Sequence, residues 1–377
     1  MIRRKFLTYA GAAAASGIAA RGPAAGAPPA EWRNKQSGMA YRRLGRTGFM
    51  ISEIVMGGNE ISPTRYEHVL EAVDRGLNYL DTAPAYGRGA SEEGFAKVIK
   101  ARSRDRVFLN TKVSAWDGNR TALYRKIFDS LPAPEQQKLR TLVEDEIRRR
   151  GLIEYDHIGM YNASQPDQVR GAVLADLMED RYGRRIDRRT NYYQIILDSI
   201  EESLRRLGTD YLDVVTCPHG ASTRGELLNY PEIFEAFEKL KKDGKARHLS
   251  VSAHNNPGGV LEAALEAGPY SMAMVAYNIV NHQWVAKALE LAGKEGLGVI
   301  AMKSARPVHD TRPGRTVDPA RAARIEAAVA GPWKIPQKAY LWNLRNPNLS
   351  AVIANMQDSA QVREDLALAG RSEARNT

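Results

Sequence analysis

Three side chains that can move or steer a proton follow two short apolar runs of the sequence. Asp81 ends the run 77–80, Tyr86 follows in a Gly-rich loop, and Lys112 ends the run 107–111. An ammonium group beside a phenol lowers the phenol's pKa from about 10, and a carboxylate holds that ammonium in place. Such a phenol can give a proton to a developing alkoxide. Taken singly, Asp81 could cap the next segment and Lys112 could be a solvated charge, but the combination favours proton transfer.

These residues need a scaffold that brings strand ends together. Apolar runs alternate with amphipathic helical runs, and we predict eight strands, at residues 54–56, 77–80, 107–111, 212–217, 246–251, 272–276, 298–302 and 350–354. Eight strands that alternate with helices indicate an α/β fold, a parallel sheet closed into a (β/α)8 TIM barrel. The carboxyl ends of all strands in such a barrel meet at one face, where catalytic residues lie.

One connection is much longer than the others. Residues 114–190 separate the third predicted strand from the next barrel helix, whereas a strand-to-helix loop usually has a few residues. Apolar residues recur at helical spacing in 134–150 and 167–182. We therefore predict a helical insertion after strand three that leaves the catalytic face and forms a lid over the site. The alternative is an insertion that packs to the side or makes an oligomer contact.

The order of several motifs along residues 41–368 resembles the aldo-keto reductase family. These motifs are YRRLGRTGFMISEIVMGG, GLNYLDTAPAYGRGASEE, LNTKVS, SIEESLRRLGTDYLDVV, HLSVSAHN and MVAYN. The resemblance implies hydride transfer between a nicotinamide dinucleotide and a small carbonyl or alcohol substrate. It implies that Tyr86 is the general acid or base, that Lys112 lowers its pKa, and that Asp81 pairs with Lys112.

The resemblance also implies a histidine after strand four that orients the substrate carbonyl. The family pattern places it at the position of Pro218, and His219 comes one residue later. A bulge or turn at Pro218 would aim the imidazole into the site, whereas regular strand alternation would point it away. We predict His219 as the fourth catalytic residue. The alternative is a histidine that is structural or only contacts the substrate.

Cofactor contacts are implied by the resemblance at the ends of strands five, seven and eight. The residues at these positions are Ser252, Asn355, Gln361, Glu364 and Asp365, the last in place of the more usual asparagine. Lys303 and Arg306 after strand seven could bind the pyrophosphate or be ordinary loop cations. Ala253, Met274 and Met302 stand where the family usually has an asparagine, a glutamine and an aromatic residue. Asn355 and Gln361 replace a lysine and an arginine, which weakens the match to a 2′-phosphate. NADP is the usual cofactor of the family, and NAD is the alternative.

Residues 1–35 are predicted to be an export signal and spacer, and residues 36–377 the barrel domain. A basic start, Arg3-Arg4-Lys5, precedes Phe6-Leu7 and a stretch rich in small residues. Paired arginines before Phe-Leu resemble a twin-arginine signal, which implies that the twin-arginine export machinery carries the folded protein to the periplasm or outside the cell. The alternative is a disordered tail.

Composition limits the classes of partner. The first 40 residues carry six basic side chains and one acidic one, which account for +5 of the net charge of +10. The remaining charge shows no dominant basic block, which argues against a nucleic-acid partner. No apolar run approaches the roughly 20 residues of a membrane-spanning helix. The single cysteine, Cys217, excludes an internal disulfide, and no spacing of ligand residues indicates a metal site. The oligomeric state is not predicted.

Two further functions stay open on sequence alone. A barrel that kept the fold but lost redox turnover would bind a carbohydrate or another metabolite, and the departures at the cofactor contacts motivate this alternative. A lyase or epimerase could use Tyr86 and Lys112 without a redox step. Because fold does not determine function, dinucleotide binding and the dependence of turnover on Tyr86 must separate the three.

Overall fold

The computed structural model describes residues 28–154, 156 and 163–372. Three short strands come first: β1 (Glu31–Trp32), β2 (Tyr41–Arg43) and β3 (Phe49–Ser52). The barrel strands are β4 (Ile54–Gly57), β5 (Tyr79–Asp81), β6 (Phe108–Lys112), β7 (Leu212–Thr216), β8 (Ala246–Ala253), β9 (Tyr270–Ala276), β10 (Gly298–Met302) and β11 (Ala351–Ala354). They pair in parallel in chain order, and β11 closes the barrel on β4. The predicted (β/α)8 barrel is confirmed.

Helices connect the barrel strands around the outside. They are α1 (Glu67–Asp74), α2 (Ala90–Arg102), α3 (Ser114–Asp129), α4 (Ala133–Arg150), α5 (Gln165–Tyr182), α6 (Ile195–Leu207), α7 (Gly225–Leu228), α8 (Pro231–Lys242), α9 (Pro257–Ala267), α10 (His282–Lys294), α11 (Pro319–Ala328), α12 (Ile335–Leu344) and α13 (Ser359–Leu366). In α6, Ile196, Ile200 and Leu204 recur at helical spacing and are buried. Gly208 ends this helix at φ 63°, a left-handed conformation that costs a glycine little.

The barrel interior changes from apolar to polar along the strands. Side chains of alternate strand residues fill it, and the lower apolar group is Val55, Tyr79, Phe108, Val214, Met272, Met274, Ile300 and Ala351. The hairpin of β2 and β3 closes the base with Leu44, Phe49 and Ile51. On β6 the inward-facing residues after Phe108 are Asn110 and Lys112, and they lie towards the opposite end of the barrel. The same alternation that builds the core therefore delivers polar groups to the carboxyl ends.

The long connection after β6 is a helical insertion. The predicted helices at 134–150 and 167–182 correspond to α4 and α5, while α3 was not predicted. The buried face of α3 includes Trp116, Arg120 and Tyr124. The fully buried Arg120 interrupts the apolar pattern of that face. Arg120 donates to the hydroxyl of Tyr230 at 2.7 Å and pairs with the carboxylate of Asp176. Glu226 of α7 lies 3.6 Å away as well, so partners from three segments surround the buried cation, and the sequence pattern does not show the helix.

The start of the described chain lies against the base of the barrel. Strand β1 pairs with β3, and Arg33 donates to the carboxylate of Asp213 on β7 at 3.1 Å. The predicted boundary between residues 35 and 36 therefore falls inside a segment that is packed on the barrel. The proposed twin-arginine motif lies within residues 1–27, outside the described residues. Among the helices that the structure describes, none is long and apolar enough to cross a membrane.

Candidate active site

The carboxyl ends of the barrel strands surround a cavity of about 890 Å³, within the size range of ligand sites. Its wall contains all ten residues that the sequence predicted for catalysis and cofactor binding: Asp81, Tyr86, Lys112, His219, Ser252, Lys303, Asn355, Gln361, Glu364 and Asp365. Met274 and Met302, which differ from the usual family residues, also line it. The fold thus brings the predicted residues together from seven segments of the chain.

Asp81 and Lys112 form a buried ion pair at the ends of β5 and β6. The ammonium of Lys112 lies 2.7 Å from both carboxylate oxygens of Asp81 and 2.8 Å from the carbonyl oxygen of Thr82. Asn110 also donates to Asp81 at 2.6 Å, and Thr216 donates to the amide oxygen of Asn110. Asp81 raises the pKa of Lys112 against the opposing effect of burial, so the ammonium keeps its charge.

Tyr86 stands in the loop after β5, where the chain turns sharply. Gly87 and Arg88 both adopt left-handed backbone conformations, at φ 60° and 56°. The ammonium of Lys112 lies 4.7 Å from the centre of the Tyr86 ring. Burial raises the pKa of Tyr86 above 10 and outweighs the lowering effect of Lys112. Lys112 therefore acts on the pKa of Tyr86 in the predicted direction, and the phenol holds its proton at neutral pH.

His219 reaches the cavity because the chain leaves the regular β7–β8 ladder. Cys217 N still donates to Ser250 O, but Ser252 N donates to Pro218 O instead of Cys217 O. This one-residue shift at Pro218 is the predicted bulge, and it reverses which side chain points inward. The rings of His219 and Tyr86 lie 6.0 Å apart between centres. Burial and the charges of Lys112 and Lys303 hold the pKa of His219 well below 6.5, so the imidazole is neutral.

Two side chains of α3 support His219 from behind. The hydroxyl of Ser114 lies 2.9 Å from Nδ1 of His219, and Asp117 Oδ2 accepts from the His219 backbone N at 2.9 Å. Neither Ser114 nor Asp117 lines the cavity wall. No described residue of the insertion lines the cavity, but Gln165 donates to Asn255 after β8 at 2.9 Å and Asp156 pairs with Arg321 of α11 at 2.6 Å. Residues 155 and 157–162 lie outside the described residues, so the lid stays a prediction. The described insertion also supports the predicted catalytic histidine through Ser114 and Asp117.

The loop after β10 lines the cavity with cations. Lys303, at φ 57°, Arg306 and Arg312 all face the cavity, and Arg312 pairs with Asp310. In the described ranges, Lys303 and Arg306 form no ion pair. Burial, Arg306 and Arg312 lower the pKa of Lys303 to about 8, because its charge is poorly compensated. A pyrophosphate would supply the missing negative charge, so this donor set fits a dinucleotide.

The far wall of the cavity is formed by the end of β11 and the start of α13. Asp358 caps this helix by accepting from Gln361 N at 2.8 Å. Glu364 pairs with Lys334 at 2.6 Å, and Arg363 pairs with Glu71 at 3.6 Å. Burial and the charge of Glu364 raise the pKa of Asp365 to about 7. This wall can hold a polar heterocycle and hydroxyl groups.

Close backbone approach completes the same wall. A Cβ on Gly57 would lie 2.0 Å from the Asn355 side-chain oxygen, so only glycine lets Asn355 occupy this place. On the opposite side, Ser252 Oγ donates to the carbonyl oxygen of His219. The Ser252 hydroxyl can therefore only accept a further hydrogen bond, which suits the amide group of a carboxamide.

Several polar residues of the site were missed in the sequence. Asn110 could have been found, because it precedes Lys112 by two residues and shares its inward face. Ser114 and Asp117 were hidden with the unpredicted α3. Arg312 and Lys334 lie in long loops and reach the cavity only through the tertiary fold, so no local signal marks them.

Comparisons with known proteins agree with this geometry. The model of the Aldo/keto reductase family matches residues 53–133 and 159–310. The aldo-keto reductase YhdN of Bacillus subtilis is 32% identical over 148 residues, which span 39% of this chain and only 41% of that protein. L-galactose dehydrogenase of Arabidopsis thaliana is 25% identical over 346 residues, 86% of each chain.

A solved structure shows the same fold. The aldo-keto reductase from Klebsiella pneumoniae in complex with NADPH has a TM-score of 0.53 and 20% identity, covering 89% of this chain and 93% of that one. The family model extends over well more than half of this chain, from β4 to the cationic loop after β10. The chain therefore belongs to the aldo/keto reductase family of oxidoreductases.

Proposed function

We propose that this protein transfers a hydride between a nicotinamide dinucleotide and a small carbonyl or alcohol substrate, with Tyr86 as the general acid in reduction and the general base in oxidation. One observation carries the proposal: a protonated tyrosine beside the buried Asp81–Lys112 pair shares a cavity with two cations, Lys303 and Arg306, that have no ion-pair partner among the described residues. A metabolite-binding barrel without turnover would not need the tyrosine, and a lyase or epimerase would not need the cationic loop.

The proton steps follow from the protein's own groups. Reduction of a carbonyl places negative charge on its oxygen, and Tyr86 Oη gives that oxygen a proton. The phenolate left behind is stabilised by the Lys112 ammonium, which Asp81 keeps in position and charged. Neutral His219 orients the substrate oxygen by a hydrogen bond. It does not compete with Tyr86 as the proton donor, because its low pKa leaves no imidazolium at neutral pH.

Different residues along the cavity would bind different parts of the cofactor. When bound, a nicotinamide dinucleotide would supply the hydride chemistry at the substrate carbon. Ser252 would accept from the carboxamide, and Lys303 and Arg306 would bind the pyrophosphate. The adenine end would lie along Asn355, Gln361, Glu364 and Asp365.

The choice between NADP and NAD depends on the wall beside α13. NADP is the usual cofactor of the family. However, Lys334 and Arg363 already pair with Glu364 and Glu71. Arg65, which donates to Gln357 at 3.3 Å, lies 3.9 Å from Glu60. A 2′-phosphate would have to displace one carboxylate and would face the other acids of the wall. We therefore propose that NADH binds at least as tightly as NADPH, which direct titration of both nucleotides would measure.

Fluorescence titration followed by a Tyr86→Phe variant tests the reaction. The unmodified protein should bind a reduced dinucleotide, and Tyr86→Phe should lower turnover by about 10²–10⁴-fold while binding changes less than about twofold. Tyr182→Phe, on α5 of the insertion, is the matched control and should leave turnover unchanged, since Tyr182 does not line the cavity. Binding without turnover would support the metabolite-binding barrel, and turnover without any dinucleotide would support a lyase or epimerase.

We also propose that the leader exports the folded protein through the twin-arginine machinery. This proposal is supported by Arg3-Arg4 before Phe6-Leu7 and by the small residues that follow. Folded export would let a dinucleotide be bound before translocation. A double variant, Arg3→Lys with Arg4→Lys, should stay in the cytoplasmic fraction of a bacterial host, whereas Arg21→Lys should be exported. Equal distribution of the three proteins would contradict export by this route.

A further inference from the structure

We propose that α3, the first helix of the insertion, positions His219 for catalysis: Ser114 sets the tautomer of its imidazole and Asp117 holds the backbone that carries it. This inference rests on the proposed function, in which His219 donates a hydrogen bond to the substrate oxygen. It assigns the insertion a part in the reaction through Ser114 and Asp117, which act as positioning residues because they do not line the cavity themselves.

The displaced position of His219 explains why such support is needed. The chain leaves the β7–β8 ladder at Pro218, and the next backbone contact, Ala221 N to Ser252 O, comes two residues later than regular pairing would put it. His219 N therefore has no ladder partner on β8. Asp117 Oδ2 accepts from it at 2.9 Å instead. The carboxylate replaces the backbone acceptor that the shift removed.

The hydrogen bonds of Ser114 define the tautomer. Ser114 Oγ accepts from the Ala85 backbone N at 3.3 Å and lies 2.9 Å from Nδ1 of His219. A hydroxyl has one proton to donate, and Nδ1 is its only acceptor among the described residues. Donation of this proton to Nδ1 makes Nδ1 the acceptor, and this arrangement places the proton of the neutral imidazole on Nε2. Because Nε2 has no hydrogen-bond partner in the described part of the chain, it is an open donor beside Tyr86.

The placement of both groups on one helix makes them a unit. Ser114 and Asp117 lie three residues apart, so they share a face of α3. Asp117 Oδ1 is buried, and no described group hydrogen-bonds to it. Burial and the charge of Glu226 raise the pKa of Asp117 to about 7. A buried carboxylate with an unsatisfied oxygen lowers the stability of the fold. What Asp117 provides in return is the hydrogen bond from its Oδ2 to the backbone N of His219.

The tautomer of His219, and not its charge, is what Ser114 controls. The groups that face the imidazole are Lys112 on β6, Lys303 after β10, His254 after β8 and Tyr86 after β5. The two lysines disfavour the imidazolium. Only the two neutral forms remain, and without Ser114 the proton is free to move to Nδ1, where it faces away from the cavity.

Nitrogen NMR of the full chain tests the tautomer directly. With ¹⁵N-histidine labelling and His219→Gln to assign the signal among seven histidines, His219 should show the Nε2–H form. Ser114→Ala should shift that signal towards the Nδ1–H form, and Ser114→Thr should restore it. A wild-type signal of the Nδ1–H form, or an unchanged signal in Ser114→Ala, would overturn the assignment to Ser114.

Kinetics separate positioning from a purely structural role. Ser114→Ala should lower kcat about tenfold with an unchanged dinucleotide Kd, and Ser114→Thr should recover most of it. Asp117→Asn keeps an acceptor for His219 N and should retain most activity, whereas Asp117→Ala should lose it. Ser130→Ala, at the other end of α3, is the control, since its hydroxyl bonds only to Ile127 O. Equal loss of binding and turnover in Ser114→Ala would contradict positioning.

The two arms also distinguish this inference from the proposed function. If the unmodified protein neither binds nor turns over a dinucleotide, the proposed function fails. The NMR signal of His219 still tests the effect of Ser114 in that case, because it needs no substrate. If turnover is present and the tautomer does not respond to Ser114→Ala, only the inference about α3 fails.

Discussion

The two ends of the barrel each bury one carboxylate among cations, but they use it differently. At the base, Asp213 on β7 accepts from Arg33, Arg104 and Arg247 and from the backbone N of Leu109. At the mouth, Asp81 on β5 accepts from Lys112 and from the amide of Asn110. Both carboxylates are buried.

The difference lies in whether the cations around each carboxylate already have anionic partners. At the base, Arg33 and Arg247 also bind Glu31, and Arg104 also donates to the carbonyls of Val107 and Tyr211. All three arginines are thus paired with carboxylates of the fold, although Arg104 Nε is buried without a partner among the described residues. At the mouth, Lys112 faces Tyr86, and Lys303 and Arg306 form no ion pair in the described ranges. The structural cluster pairs its cations with carboxylates of the fold, whereas this site leaves Lys303 and Arg306 without a described anionic partner, so a ligand can supply one.

Breaking the pair at the mouth should cost both activity and stability. Lys112→Met removes the cation that stabilises phenolate and leaves Asp81 buried without its partner. We expect turnover to fall at least about 100-fold. The free energy of unfolding should fall by roughly 3–5 kcal/mol at pH 7.5. Urea unfolding and a reductase assay measure the two effects, with exposed Lys100→Met as the control.

The stability loss in Lys112→Met should depend on pH. Burial raises the pKa of Asp81, and without Lys112 nothing lowers it again by charge. The native state then binds a proton that the unfolded chain has released, so the stability of the variant relative to the parent falls as pH rises from about 4 to 7. A loss that is the same at pH 5 and pH 7.5 would mean that Asp81 stays ionised in the variant.

Breaking the cluster at the base should cost stability alone. Asp213→Asn removes the negative charge that three arginines share. It also turns the two N–H donors of the new amide towards the N–H donors of the arginines. We expect about 3 kcal/mol less free energy of unfolding, below the loss at the mouth, because Arg247 remains 35% exposed and can be solvated. The kcat should change less than twofold.

The matched control for the base is Asp105→Asn, an exposed carboxylate beside Arg104. It should change neither stability nor turnover. A loss of kcat in Asp213→Asn at a temperature where the variant is folded would show that the two ends of the barrel are coupled, and the comparison would then fail.

The fold could be predicted because its signals are local and repeated. Eight apolar runs marked the strands, and the ends of each run agree with the structure to within two residues. The mouth of the site followed from these strand ends, since Asp81 and Lys112 lie directly at them. Helix α3 was missed because Arg120 occupies a buried position, and its partners come from distant segments that no local pattern reveals.

Electrostatic balance was the other limit of sequence reasoning. The effect of Lys112 on Tyr86 was predicted with the right sign, but the opposing effect of burial depends on how the cavity walls pack. The role of residues 28–35 at the base was also missed. Arg33 binds Asp213, far along the chain, and its neighbours 21–30 resemble a spacer in composition.

The smallest expected effect concerns the open cation at the mouth. Lys303 has a pKa lowered to about 8, so it is charged at pH 7 and loses its charge as pH rises through 8. If Lys303 binds the pyrophosphate, the Kd for NADH should increase between pH 7 and pH 9.5. Lys303→Met should weaken binding about tenfold at pH 7, or about 1.4 kcal/mol, and should remove this dependence. Lys303→Arg should keep tight binding at both pH values, because an arginine stays charged. Lys287→Met, exposed on α10, is the control. Equal Kd values for Lys303→Met and the parent would mean that the lysine is not used for the cofactor, and the open donors would then be available for an anionic substrate.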